Sequence, residues 1–153
     1  MLNRPSQRVT KALEGYAKEK EVTGSSSQIV RIDCDLASFD SVRDGARLLQ
    51  EKVNEMNLNG IDFLVNNAGV AYNANTMTED GFDIQMQVNY LSHFLLTKLL
   101  FPLLTKAATK NGEARIVHHS SSARYITSFE EKYLKSYKNN PECTKGKVQR
   151  FLD

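Results

Sequence analysis

The segment Ile61-Asp62-Phe63-Leu64-Val65 is a nearly unbroken apolar run that stops abruptly at Asn66-Asn67-Ala68-Gly69. It is too short for a buried helix and is bounded by turn-forming residues, so it reads as a strand. A strand apolar on successive residues is buried on both faces, the condition of strands inside parallel sheets. Parallel strands cannot be joined by tight hairpins. They need long crossovers, usually helical, and that constrains everything else in the chain.

The rest of the sequence meets that constraint. Residues 5–20 carry Val9, Ala12, Leu13, Tyr16 and Ala17 on one helical face, with Pro5 suited to a first turn. Gly24 and Ser25 to Ser27 break the pattern, and 28–34, with Ile29, Val30 and Ile32, predicts a strand. Ser38 is a candidate N-cap for a helix striped by Val42, Ala46, Leu49, Val53 and Met56 and ended by Asn59-Gly60. A polar loop over 72–77 precedes a long helix predicted over 79–106, capped by Thr78 and kinked or divided at Pro102. Residues 115–119 predict another strand, and 129–137 a further helical stretch. Strands alternating with helices at this spacing imply βαβ units and a parallel α/β sheet.

In such sheets ligands bind beyond the carboxyl ends of the strands. The three strand ends here are Asp33-Cys34-Asp35-Leu36, Asn66-Asn67-Ala68-Gly69 and His118-His119-Ser120-Ser121-Ser122. Topology therefore predicts one crevice lined by Asp35, the Asn-Asn-Ala-Gly turn and a serine cluster.

These residues carry a resemblance. Leu64-Val65-Asn66-Asn67-Ala68-Gly69-Val70 resembles the Asn-Asn-Ala-Gly strand end of the short-chain dehydrogenase/reductase family, and 33–38 resembles its adenine-side segment. Thr78-Glu79-Asp80-Gly81-Phe82 and the stretch from Gln87 to Thr97 resemble its central interface helix, and 115–121 its serine-bearing strand. Within the family the chain is most similar to the retinol dehydrogenase and WW-domain oxidoreductase subgroup. The resemblance spans 2–124 in order and spacing.

It implies a partial Rossmann-type doubly wound parallel sheet with helices on both faces, over 1–124, followed by a basic variable segment over 125–153. It implies an oxidoreductase that interconverts an alcohol and a carbonyl, on a small lipophilic substrate, by hydride transfer with a nicotinamide cofactor. Asp35 and Leu36 would flank the adenine. Asn67, Ala68 and Gly69 would approach the ribose, glycine doing so because it has no side chain. Asn89 and Ser121 would be catalytic, Asn89 holding a relay water through its backbone and Ser121 orienting the substrate oxygen. Arg4 stands where the family's second strand finishes, and an arginine there pairs with a 2′-phosphate, which favours NADP, with NAD the alternative.

Two family features are not in the sequence. There is no G-x-x-x-G-x-G turn for the pyrophosphate, and Tyr125, Tyr133 and Tyr137 lack a lysine four residues on. Tyr16 and Lys20 have that spacing but precede the Asn-Asn-Ala-Gly turn, as a chance helix face. The expectation is therefore a fragment, inactive by itself, with a poorly soluble or oligomeric habit. The competing reading is a non-catalytic chain that associates through its 79–106 helix, the family's dimer face.

Composition sets the remaining limits. An apolar fraction of 41% and a charged fraction of 25% over 153 residues suit one globular domain, and a net charge of +2 gives no footing for nucleic acid. Cys34 and Cys143 form no CxxC pair, and His93, His118 and His119 make no zinc pattern. No signal peptide precedes the first helix, and 91–104 is too interrupted by polar residues to span a membrane. A cytoplasmic location follows as the expectation.

Overall fold

The computed structural model describes residues 1–71 and 77–121. Ser122, the expected helix over 129–137, the basic segment beyond it and most of the loop after Ala71 lie outside those residues.

The described elements follow the expected alternation. They are β1 (Leu2–Asn3), α1 (Gln7–Thr23), β2 (Ile32–Asp33), α2 (Phe39–Glu55), β3 (Phe63–Asn66), α3 (Ile84–Met86), a π-helical segment (Gln87–Leu91), α4 (Ser92–Asn111) and β4 (Arg115–His118). β1 pairs with β2 and β3 with β4, both in parallel, so the strands form two pairs, with Leu64 opposite Ile116 and Asn66 opposite His118.

Helix α2 shows how local sequence becomes packing. Ser38 caps it by accepting from the Ser41 amide, as expected. Val42, Ala46 and Val53 recur one or two turns apart and are buried against α4. The opposite face carries the exposed pairs Asp40–Arg43, Arg47–Glu51 and Lys52–Glu55, which help solubility more than stability. The helix ends earlier than expected. Asn57 takes the left-handed conformation, φ 51°, and terminates it after Met56, so Asn59-Gly60 lies beyond the end.

Cys34, Val42, Ala46, Val53, Leu64, Leu96, Leu100, Leu103 and Leu104 form one core cluster joining α2, α4 and the strands. Leu100 is fully buried at its centre. Gly60 is what lets the β3 entrance approach α4. Its φ is 129°, and a Cβ there would lie 2.2 Å from the Leu103 carbonyl oxygen.

Four differences from the sequence reading have physical causes. β3 is not buried on both faces: Leu64 and Asn66 point into the core, whereas Phe63 and Val65 are 60% and 59% exposed, because the α2/α4 layer covers one face. The long helix is not continuous from residue 79. Residues 79–83 form a turn, Asp83 rather than Thr78 is the N-cap, and the break falls in the π segment. Pro102 sits inside an unbroken α4 and does not divide it. Of the expected α1 face, only Val9 is fully buried, so this helix packs lightly. Among the described residues no helix is long and apolar enough to cross a membrane.

Gly60→Ala should destabilise the chain by more than about 3 kcal/mol, because both the positive φ and the backbone clash oppose it. Leu100→Ala should cost about 2–5 kcal/mol through its cavity. Urea unfolding followed by circular dichroism measures both, and a Gly60→Ala midpoint within error of wild type would contradict the close approach.

Candidate functional site

The site is assembled at the strand ends. After β2, the Asp35 carboxylate accepts from the Ala37 amide at 2.9 Å, and the Asp35 amide donates to Ser41 Oγ at 2.8 Å. This Asx turn fixes Leu36 at the head of α2. The Leu36 carbonyl then accepts from Ser92 Oγ at 2.6 Å, which ties this loop to the start of α4.

After β3, the chain turns outward. Asn66 is 2% exposed, and its Nδ2 donates to Thr97 Oγ1 at 3.0 Å and to His118 Nδ1 at 3.4 Å. Asn67 Oδ1 meets His119 Nδ1 at 2.7 Å, joining the Asn-Asn-Ala-Gly turn to the end of β4. Both asparagines therefore bind side chains.

Asn89 forms the central contact. Its Oδ1 accepts from the Val70 amide at 2.8 Å and its Nδ2 donates to the Val70 carbonyl at 2.9 Å. One side-chain amide thus satisfies both backbone groups of the residue after Gly69, as a neighbouring strand would. Asn89 lies within the π-helical segment, where the Ser92 amide bonds the Gln87 carbonyl across a wider turn.

A buried polar network holds that segment. Asp80 Oδ2 accepts from the Phe39 amide at 2.8 Å and from Gln87 Nε2 at 2.6 Å, while Gln87 Oε1 pairs with Thr78 Oγ1. Asp80 thereby supplies negative charge to the N-terminus of α2 from another part of the chain. Gln87 and Ser92 are fully buried. Asp80, Gln87 and Ser92 had no assigned role in the sequence reading. The usable signal was polar residues at positions where an uninterrupted helix would bury apolar ones.

Of the residues expected to line the crevice, Leu36 and Asn67 are drawn together with the serine-bearing strand end and α4 by the bonds above, and Asn89 fastens Val70. Asn67, Ala68 and Gly69 are exposed, and Asp35 and Leu36 are half-buried. Among the described residues a Cβ on Gly69 would meet only Asn89 Oδ1, at 3.6 Å, which is ordinary contact distance. Arg4 is exposed just past β1, which connects to β2 through the Cys34 amide and the Asn3 carbonyl at 3.0 Å. Ser121 is exposed, two residues past His119, whose amide extends the β3–β4 pairing to the Asn66 carbonyl at 3.0 Å.

Near these strand ends, burial displaces the titration of Cys34 and His93. The Cys34 thiol is pushed up to about 11 by burial and then by the neighbouring Asp35 charge. His93 is pushed below its ordinary value of 6.5, first by burial and also by His118, against the effect of its bond to the Asn89 carbonyl.

The model of the short chain dehydrogenase family matches residues 6–132. The chain belongs to that family. Retinol dehydrogenase 14 of Mus musculus is 48% identical over 118 residues, covering 69% of this chain and 34% of the relative. Among solved structures, an NADPH-bound carbonyl reductase from chicken fatty liver shares the fold with a TM-score of 0.61 at 23% identity, over 92% of this chain and 56% of that one. The RhlG/NADP complex of Pseudomonas aeruginosa is 30% identical with a TM-score of 0.51, over 74% of this chain and 42% of that one. The chain spans less than half the length of the curated relatives it matches. These matches place its two strand pairs in a Rossmann-type α/β fold.

Three outcomes follow from the site's geometry. Asn89→Ala removes both partners of Val70; because these bonds are exposed and water can replace them, it should destabilise the fold by only about 0.5–1.5 kcal/mol in urea unfolding. In a Cys143→Ser background, Cys34 should react with iodoacetamide about a hundredfold more slowly than an unfolded control at pH 8, since its pKa stands near 11 against 9.0. The folded pKa of His93 is lowered, so the unfolded chain binds the extra proton. Its contribution to stability is full above pH 6.5 and is lost as pH falls through the lowered value. The urea midpoint should drop between pH 7.5 and 5.5, and His93→Asn should flatten that slope.

Proposed function

We propose that these residues are the partial NAD(P)-binding domain, over 1–124, of an oxidoreductase that interconverts an alcohol and a carbonyl. The observation that carries the proposal is the Asn89–Val70 bond pair, which presents Asn67, Ala68 and Gly69 as an open ledge between the Asp35 loop and the serine-bearing strand end.

The residues present fit a dinucleotide. Gly69 keeps a surface that no other described residue covers closely. Asp35 is oriented by its own Asx turn to accept from an adenine amine, with Leu36 and Ala68 against the ring and sugar. Arg4 is exposed, and among the described residues no carboxylate pairs with it, so its guanidinium is available to a 2′-phosphate. When bound, the nicotinamide group supplies or accepts the hydride. Ser121 donates a hydrogen bond to the substrate oxygen, where charge grows as the carbonyl is reduced. The backbone carbonyl of Asn89 holds a water that passes protons to that site. NADP is favoured over NAD by Arg4 and by the NADP held by the 30% identical relative.

A lipophilic alcohol or aldehyde is the substrate class, supported by the retinol dehydrogenase relative. A second copy of the chain is the macromolecular partner, supported by Tyr90 in the π segment and Phe94 and Phe101 on α4, all large exposed side chains. The cytoplasm is the proposed location, supported by cysteines that follow no disulfide pattern. A non-catalytic role through the same helix is the second reading, favoured by that exposed stripe.

Titrating the native protein with NADPH and NADH, followed by nicotinamide fluorescence, tests the proposal. NADPH should bind tighter, and Arg4→Ala should remove the preference, a loss of roughly 10–100-fold in NADPH affinity for one charge-assisted contact. In a longer protein that carries these residues, Ser121→Ala should lower kcat about 10²–10³-fold with little change in KM. No fluorescence change with either cofactor would refute the enzyme reading and leave the association reading standing.

A further inference from the structure

The π-helical segment bends the chain where Asn89 must do two things at once. Its side chain fastens Val70, and its backbone carbonyl points elsewhere. That carbonyl already has a partner: His93 Nδ1 lies 3.3 Å from it, one turn along. His93 is buried, 7% exposed, at the start of α4. Its ring borders a cavity of about 260 Å³ lined also by Asn89, Tyr90, Phe94, Thr97 and His118.

We propose that His93 is a positioning residue that fixes Asn89. Its Nδ1–H donates to the Asn89 carbonyl, holds that peptide plane in the π segment, and so keeps the Asn89 side chain on Val70. The inference rests on the proposed site only in giving Asn89 a role there; the hydrogen-bond chain from His93 to Val70 stands on its own geometry.

The chemistry of the cavity supports one protonation state. Among the described residues its other titratable groups are His118, from β4, and Tyr90, from the π segment, and none of the described lining residues is a carboxylate. Burial and the facing His118 hold His93 below its ordinary range, so the ring is neutral. A neutral imidazole in water favours the proton on Nε2, whereas the Asn89 carbonyl requires it on Nδ1. His118 is set the other way: Asn66 Nδ2 approaches its Nδ1 at 3.4 Å, so that nitrogen accepts and the proton sits on Nε2. The two facing rings therefore carry opposite tautomers, one fixed by a carbonyl acceptor and the other by an amide donor.

Two measurements on the full chain test this. Nitrogen-15 imidazole spectra of the wild-type protein at pH 7.5 should show His93 as the Nδ1–H tautomer and His118 as the Nε2–H tautomer. This readout needs no variant to fold. Amide exchange then reads the link to Val70. His93→Leu should speed exchange of the Val70 amide roughly tenfold, the size of one buried hydrogen bond. His93→Asn, which keeps a donor at the δ position, should restore it to within about threefold, and His93→Gln, which moves the donor one atom outward, should not. Exchange at Leu100 in the core should stay the same in all three. An Nε2–H tautomer on His93, or equal Val70 protection in the Leu and Asn variants, would overturn the proposal. Failure of cofactor to bind would leave these readouts untouched and would count only against the proposed enzyme.

Discussion

The packing of α2 against α4 around Leu100 is the contact on which the other parts rest. It joins the strand pairs through one core, with Cys34 and Leu64 contributing from the strand ends. It also sets where each helix begins. The head of α2 carries the Asp35–Leu36 turn, and the segment leading into α4 carries Asn89. Because the helices are locked together in the core, their starts are held at a fixed separation, and Ser92 Oγ can reach the Leu36 carbonyl. The geometry of the crevice is thus a consequence of apolar packing some distance beneath it.

Polar groups then refine what the packing delivers. Asp80 bridges the first amide of α2 and the side chain of Gln87, and Asn89 bonds both backbone groups of Val70. The Asp80 bonds are half-buried, so their loss would leave partners unsatisfied; the Asn89 pair is exposed and acts by fixing the direction of the chain at Val70. The π segment is the compromise between the two layers. α4 must present Leu96, Leu100 and Leu104 to α2, and the residues before it must turn Gln87 toward Asp80 and Asn89 toward Val70. The wider turn at Gln87–Leu91 resolves the difference in phase.

Much of this was legible in the residues. The Val42, Ala46, Leu49 and Val53 spacing located α2 and its buried face, and Ser38 located its start. The short apolar run before Asn66 located β3, and the order of elements implied parallel pairing. The legibility failed where a residue's role depended on something distant in sequence. Thr78 has the chemistry of a cap, yet it serves Gln87, because Asp83 is better placed to accept the free amides of α3. Phe63 and Val65 look as buried as Leu64, because alternation of exposure is decided by which faces carry helices. Pro102 looks like a break, but it lies on the exposed side of a helix that Leu100, Leu103 and Leu104 anchor in the core.

By itself the sequence determined the family, the α/β alternation, the identity of the residues at each strand end and the helical faces that form the core, because these depend on local period and on residue chemistry. Only the tertiary structure decided that Asn66 and Asn67 bond side chains of the β4 end, that Asn89 fastens Val70, and that Asp80 caps a helix from across the chain. It also decided that His93, at the start of α4, reaches back to the Asn89 carbonyl in the π-helical segment. The His93 contact, four residues apart, depends on the helix phase, and the others on separations of about twenty to fifty residues, which the core packing fixes and no local pattern encodes.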